Sequence, residues 1–363
     1  MNRWPRLIFL APGAVALMAG LLAGLERLGF TLPVSPPNLA LQHGPLMIVG
    51  FLTTVIGLER AVALQTGWAF WAPLLSGVGA LLYLAGLPHA PLLMAGGAVI
   101  LSLSALEGLR RQQSLHAAIM ALGALCGAAG SLAWALGLPL PQAMGLWMAF
   151  LTLTIAGERL ELTRFLPPRR GRTPSLLLLV ALILIGATAS TPGSDIAPRL
   201  LGSAFLGLAV WLLVFDIARR NLMQTGLSRF IGLALSAGYF WLGLGGFALL
   251  HHGMPTGGYE YDAVLHILFL GFVFSMIFGH APVILPAVLK REAPYHPLLL
   301  VWLGLLHLSL ILRLIGDHNE IAPIRQIGGA LGEMAILLFI VTMAVRTVRA
   351  AKNQSTRTGA EKT

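Results

Sequence analysis

The chain has 363 residues, of which 57% are hydrophobic and 10% charged, with a mean hydropathy of +0.82. A soluble domain carries roughly 25% charged residues, so a chain this apolar lacks the polar surface to face water, and a separate soluble catalytic module is excluded. A single cysteine, Cys126, excludes a disulfide framework, a paired-cysteine metal site and a Cys-x-x-Cys-His haem attachment.

Apolar runs of about 20 residues, the length a bilayer requires, follow one another almost end to end. Gly, Pro and charged residues punctuate them into twelve expected spanning helices, at 7–28, 39–58, 68–87, 91–108, 115–136, 143–160, 174–190, 199–216, 228–250, 263–286, 296–315 and 324–345. The start, Met1 to Arg6, resembles a signal-peptide n-region, but the apolar stretch from Leu7 to Leu25 is long for one and is taken as the first span. The expectation is an all-α membrane protein, one bundle of about twelve transmembrane helices over 1–349, with a polar, disordered tail at 350–363.

The net charge of +10 has a direction. With the N-terminus in the cytoplasm, 20 of the 24 Lys and Arg residues fall on the cytoplasmic side, and only Arg27, Arg199, Arg313 and Arg325 fall on the other. That bias is the positive-inside rule. It puts both termini in the cytoplasm and reads as a multi-pass protein of the cytoplasmic (inner) membrane whose partner is the lipid bilayer, with no nucleic acid.

The second and sixth helices echo each other, with Phe51-Leu-Thr-Thr-Val-Ile-Gly-Leu-Glu59-Arg60 matched by Phe150-Leu-Thr-Leu-Thr-Ile-Ala-Gly-Glu158-Arg159. The tenth helix repeats the theme loosely, with His280 standing to Gly271-Phe272 as Glu59 stands to Gly50-Phe51. Either an internal repeat or a shared helix-end grammar accounts for this.

Ionisable groups inside a membrane are functional candidates. His43 opens the second helix and His266 the tenth, both near the outer surface; His251 and His252 lie close by at the end of the ninth. Two imidazoles from different helices at one depth can clamp a haem iron, and Gly44, Gly50 and Gly271 would admit a flat macrocycle. His280 follows His266 by 14 residues, which on an ideal helix is about 40° of azimuth and about 21 Å of rise. No histidine stands at its depth to pair with it, so His280 is a candidate for a metal, a proton path or a contact with Glu59. His307 and Glu333, at similar depth on the last two helices, are candidates for a proton or ion path and for direct contact; Arg313 is an alternative partner or an anchor for a haem carboxylate. Candidate metal ligands are thus His43, His266, His251, His252 and His280. No Walker A, His-Glu-x-x-His or Gly-x-Ser-x-Gly stretch occurs.

At these residues the sequence resembles the NnrS family, twelve-helix membrane proteins with haem and copper connected with nitric oxide metabolism. The family stretch His-x-His-Glu-Met-x-x-Gly is met by His43, Met47 and Gly50, and the stretch His-Ala-Leu-x-x-Gly-x-x-x-x-Met by His266, Leu268, Gly271 and Met276. More remotely the chain is similar to subunit I of haem-copper oxidases, whose low-spin haem is held by histidines on helices 2 and 10. The resemblance implies haem b, copper as a second group, and electron transfer or nitric oxide handling beside respiratory-chain components. The departures are Pro45 and Leu46, where the family has His and Glu, and the absence of any histidine between His116 and His251. The latter removes the copper ligands of an oxidase and argues against oxygen reduction. Two other classes stay open: a secondary transporter or metal-ion permease using Glu333, His307 and His280, and an assembly factor for a respiratory complex.

Overall fold

Long runs of Leu, Ala, Val and Ile leave the backbone one way to satisfy its polar groups in lipid, the helix. In a computed structural model the described residues are 3–33, 35–167, 169–188, 195–289 and 295–360, and no strand occurs among them. Twelve apolar helices form the bundle: α1 (Arg3–Arg27), α2 (Leu39–Leu64), α3 (Gly67–Leu84), α4 (Ala90–Gln112), α5 (Leu115–Ala135), α6 (Leu140–Leu162), α7 (Arg172–Thr188), α8 (Ile196–Phe215), α9 (Gly226–His252), α10 (Gly258–Pro286), α11 (Leu298–His318) and α12 (Ala322–Ala360). Eleven are long and apolar enough to cross a membrane, and α7 is a shorter apolar helix. The expected end of α7 at 190, and Lys290 and Arg291 of the charge count, lie outside the described residues. The end of the bundle that carries most Lys and Arg is called inner below, and the opposite end outer.

Short connections make sequential helices antiparallel neighbours, and the strongest pairings are α5 with α6, α11 with α12, and α8 with α9. Lipid supplies no hydrophobic drive between helices, so contact depends on close approach of small residues. At the α8–α9 crossing Gly202 and Gly246 face each other: a Cβ on Gly246 would lie 2.7 Å from the Gly202 carbonyl oxygen. Leu, Ile, Val and Phe side chains stand exposed on the periphery, as a lipid-facing surface requires. Within the bundle α6 and α10 are the most enclosed, 72% and 67% buried over their apolar windows against 33–56% for the other membrane-length helices. Both contribute to the cavities described next.

Three helix ends differ from expectation. The second span was ended at 58 because Glu59 and Arg60 follow, yet α2 continues to Leu64 and stops where Gln65 turns left-handed, at φ 55°. Charges at a membrane edge do not break a helix when they pair with each other. The tenth begins at Gly258 rather than 263, so His266 sits more than two turns inside α10 and does not open it. The last continues as helix through Ala360, into the segment read as a tail, and its final three residues lie outside the described ones. Two helices also change pitch, α2 over Leu46–Leu52 and α10 over Ile267–Val273, each adopting one π-helical segment. Such segments recur at functional sites.

Candidate functional site

Two cavities lie one behind the other between α2 and α10. The outer one contains about 830 Å³ of atom-free space and is lined by His43, His266, Met47, Phe269, Arg313 and Glu333 among others. His43 donates its Nδ1–H to the Gly20 carbonyl of α1 at 2.7 Å, and His266 donates its Nδ1–H to the Asp262 carbonyl one turn back at 2.7 Å. A carbonyl only accepts, so these bonds fix both tautomers and leave each Nε2 with a lone pair. Neither Nε2 has a hydrogen-bond partner among the described residues. The ring centres are 6.1 Å apart and the planes 20° from parallel. Gly24 of α1 makes the space: a Cβ there would lie 2.9 Å from Glu333 Oε1 and 3.2 Å from His43 Cε1.

Asp262 organises the outer rim. Its main-chain carbonyl holds His266, and its buried carboxylate accepts from Arg313 Nε at 2.8 Å and Arg313 Nη2 at 3.0 Å. Arg325 Nη2 approaches the same carboxylate at 3.4 Å, while Arg325 Nε lies 2.8 Å from Asp317 Oδ1. Two arginines are thus matched by two aspartates, which is how charge survives burial. Two of the four exceptions to the positive-inside bias, Arg313 and Arg325, therefore have structural tasks. Arg199, another of them, donates to the last carbonyls of α9, Leu250 and His251, at 2.9 and 3.1 Å.

The inner cavity contains about 960 Å³ of atom-free space, and Leu52 lines both cavities. Its polar lining is Glu59 from α2, Thr154 and Glu158 from α6, and His280 from α10. Arg60 Nη2 joins Glu59 Oε1 at 3.0 Å to Glu158 Oε1 at 3.2 Å. His280 donates Nδ1–H to the Met276 carbonyl at 2.7 Å and accepts from Arg159 Nη2 at 2.6 Å. Behind Arg159 stands Asp216, 4.0 Å away, whose Oδ2 accepts from Tyr239 Oη and from the Ala218 N–H, both at 2.9 Å. The residues of the sequence echo, Glu59-Arg60, Glu158-Arg159 and His280, all meet here. His280 has both nitrogens engaged and offers no lone pair to a metal.

The remaining candidates lie apart. The expected His307–Glu333 contact does not form: His307 Nδ1 accepts from Trp241 Nε1 of α9 at 3.0 Å, whereas Glu333 faces the outer cavity. A shared depth would not fix the azimuth of each residue on its helix. His251 and His252 sit side by side at the exposed end of α9, ring centres 4.6 Å apart and planes tilted by 60°, and neither lines the outer cavity. Among the described residues no group of three or more His, Cys, Asp and Glu is disposed to hold a metal ion. Sequence reasoning overlooked Asp262 and the link from Arg159 to His280. The first had a signal in the i, i+4 spacing of Asp262 and His266; the second, a contact between α6 and α10, had none.

No curated protein matches the chain. A family described as a domain of unknown function (DUF8744) matches residues 6–348, a stretch that takes in both cavities, and the chain belongs to that family.

Proposed function

We propose that the protein is a multi-pass haem b protein of the cytoplasmic membrane, in which His43 and His266 would hold the haem iron, with one-electron transfer, beside respiratory-chain components, as its task. The observation that carries this reading is the geometry of the pair. Two imidazoles from different helices could hold one metal between them only if their rings stood close and each kept a nitrogen free, as both Nε2 atoms are here. The observed separation is 6.1 Å. Main-chain carbonyls hold both Nδ1 atoms, the outer support that orients a metal-binding histidine. A bare ion would need further protein ligands, and no third side chain of the kind joins the pair among the described residues; a macrocycle brings four nitrogens of its own.

When bound, haem supplies a reversible one-electron couple tuned by its axial ligands and their surroundings. The chain's own part is to orient and to insulate. Leu21, Met47, Phe269 and Ile336 give the cavity an apolar lining. Arg313, held by Asp262, presents a fixed cation to the carboxylates of a macrocycle. Two histidines holding the group would favour electron transfer over nitric oxide binding there.

Protein purified from haem-replete cells should show a Soret band. His43→Ala or His266→Ala should abolish it, and His280→Ala should leave it. A colourless wild-type preparation overturns the reading.

A further inference from the structure

We infer that the inner cavity binds the ring of a membrane-soluble hydroquinone, with Glu59 and Glu158 accepting hydrogen bonds from its hydroxyl groups. This goes beyond the haem reading and does not depend on it. The cavity lies between α1, α2, α6 and α10, and most of its wall is apolar, with Phe51, Ile155, Ile277 and Ile284 among the lining side chains. At its inner end two carboxylates share a single guanidinium nitrogen, Arg60 Nη2, through their Oε1 atoms. Neither Oε2 has a hydrogen bond among the described residues. Arg159, the other cation nearby, is engaged by His280 and Asp216. The polar groups that line the cavity are therefore mostly acceptors: the Thr154 hydroxyl donates to the Phe150 carbonyl and neither Arg60 nor Arg159 is among the lining residues, so a ligand that brings hydroxyl groups as well as an apolar body matches it.

Other occupants fit less well. A metal ion would want His280, whose Nε2 already accepts from Arg159, and no three-ligand group exists among the described residues. An anionic phospholipid head would meet two carboxylates. A plain acyl chain would desolvate those carboxylates and return no hydrogen bond. A hydroquinone offers a flat ring to stack on aromatic and aliphatic walls, two hydroxyl donors for the carboxylates and a prenyl tail for the apolar remainder. It would also lie one side-chain layer, that of Leu52, from the outer cavity.

The test is a fluorescence titration of the detergent-purified full chain with a heptyl-tailed hydroxyquinoline N-oxide, a quinol analogue whose emission is quenched on binding. Saturable, one-to-one quenching is expected. The Glu59→Gln, Glu158→Gln double variant should weaken it about tenfold or more, the equivalent of one hydrogen bond to a charged group. Val55→Trp, which fills the cavity from α2 and leaves the carboxylates in place, should abolish it. Unsaturable quenching, or quenching that survives Val55→Trp, overturns the proposal and marks partition into the micelle. The same affinity is expected of protein from haem-depleted and haem-replete cells, so a colourless protein that binds the probe removes the haem reading alone.

Discussion

The outer and inner cavities lie between the same two helices, α2 and α10, and each receives from α10 a histidine whose Nδ1 is tied to the main-chain carbonyl one turn back, Asp262 for His266 and Met276 for His280. They differ in what meets the other nitrogen. In the outer cavity a second imidazole, His43, faces His266 with ring centres 6.1 Å apart; in the inner one the Arg159 guanidinium sits 2.6 Å from His280 Nε2. The shared device sets the tautomer in both places, and the partner helix then decides the chemistry. From α1 and α2 comes a neutral ring with a free lone pair, and from α6 a cation that consumes the lone pair it meets. One helix thus carries an imidazole with an open nitrogen and one without, built to the same local plan.

The comparison breaks most visibly at Asp262. Its carboxylate pairs with Arg313 and lies 3.4 Å from Arg325, which Asp317 meets at 2.8 Å, while its carbonyl orients His266. Removing one partner of a buried ion pair leaves an uncompensated charge, at a cost of about 3–5 kcal/mol. Asp262→Ala should therefore lower the free energy of unfolding by SDS in mixed micelles by that amount, and the midpoint with it. The disturbance should be confined to the outer half: the quenching titration at the inner cavity should keep its affinity in whatever fraction remains folded. An unchanged midpoint would mean that the outer arginines are neutralised without Asp262.

The spanning helices were readable because few sequences other than a membrane span hold twenty apolar residues in a row, and because 20 of 24 basic residues fall on one side only if the helix count is right. The outer pair was readable in part. Depth put His43 and His266 together, but the adjacency of α2 and α10 came from resemblance and not from any residue. What escaped was azimuth. His307 and Glu333, expected at one depth, face different neighbours, Trp241 and the outer cavity. The π-helical segments, Leu46–Leu52 and Ile267–Val273, add to this: each widens the turn, so residues beyond it no longer follow the rotation of an ideal α-helix. The residues of the sequence echo, whether repeat or shared helix-end grammar, stand together in three dimensions. Gly50-Phe51 and Gly271-Phe272 occupy the same two places within their π segments, and the Glu-Arg pairs that looked like interfacial grammar close the inner cavity together.

A smaller effect distinguishes the cavities by their walls. The outer one depends on a backbone position: a Cβ at Gly24 would come 2.9 Å from Glu333 Oε1 and 3.2 Å from His43 Cε1, so one of them must move. Overpacking of this kind costs about 1–3 kcal/mol. Gly24→Ala should lower the SDS midpoint accordingly and weaken whatever the His43–His266 pair holds. Gly304→Ala, on α11 with nothing within 4 Å of its added methyl, is the control and should be neutral or slightly stabilising, since Ala is the better helix former. Equal losses at both positions would mean that helix propensity, and not the space beside His43, is being measured.

The smallest effect concerns why His280 is closed. Tyr239, Asp216, Arg159 and His280 form a chain, from the Tyr239 hydroxyl to Asp216 Oδ2 at 2.9 Å, across 4.0 Å to Arg159, and on to the imidazole at 2.6 Å. Tyr239 is fully buried, so Tyr239→Phe removes one hydrogen bond with little change of shape. Hydrogen bonds between membrane helices average about 0.6 kcal/mol and reach about 1.7, and the loss should fall in that range. The informative quantity is the coupling with His280→Ala in a double-mutant cycle. If Asp216 positions Arg159 against the histidine, the two substitutions share a partner and their effects should not add. If they add, Arg159 is held in place by something other than Asp216, and the link from Tyr239 to His280 is proximity without coupling. Non-additivity here, with additivity between Tyr239→Phe and Gly24→Ala, would mark the two cavities as separately built units on one helix pair.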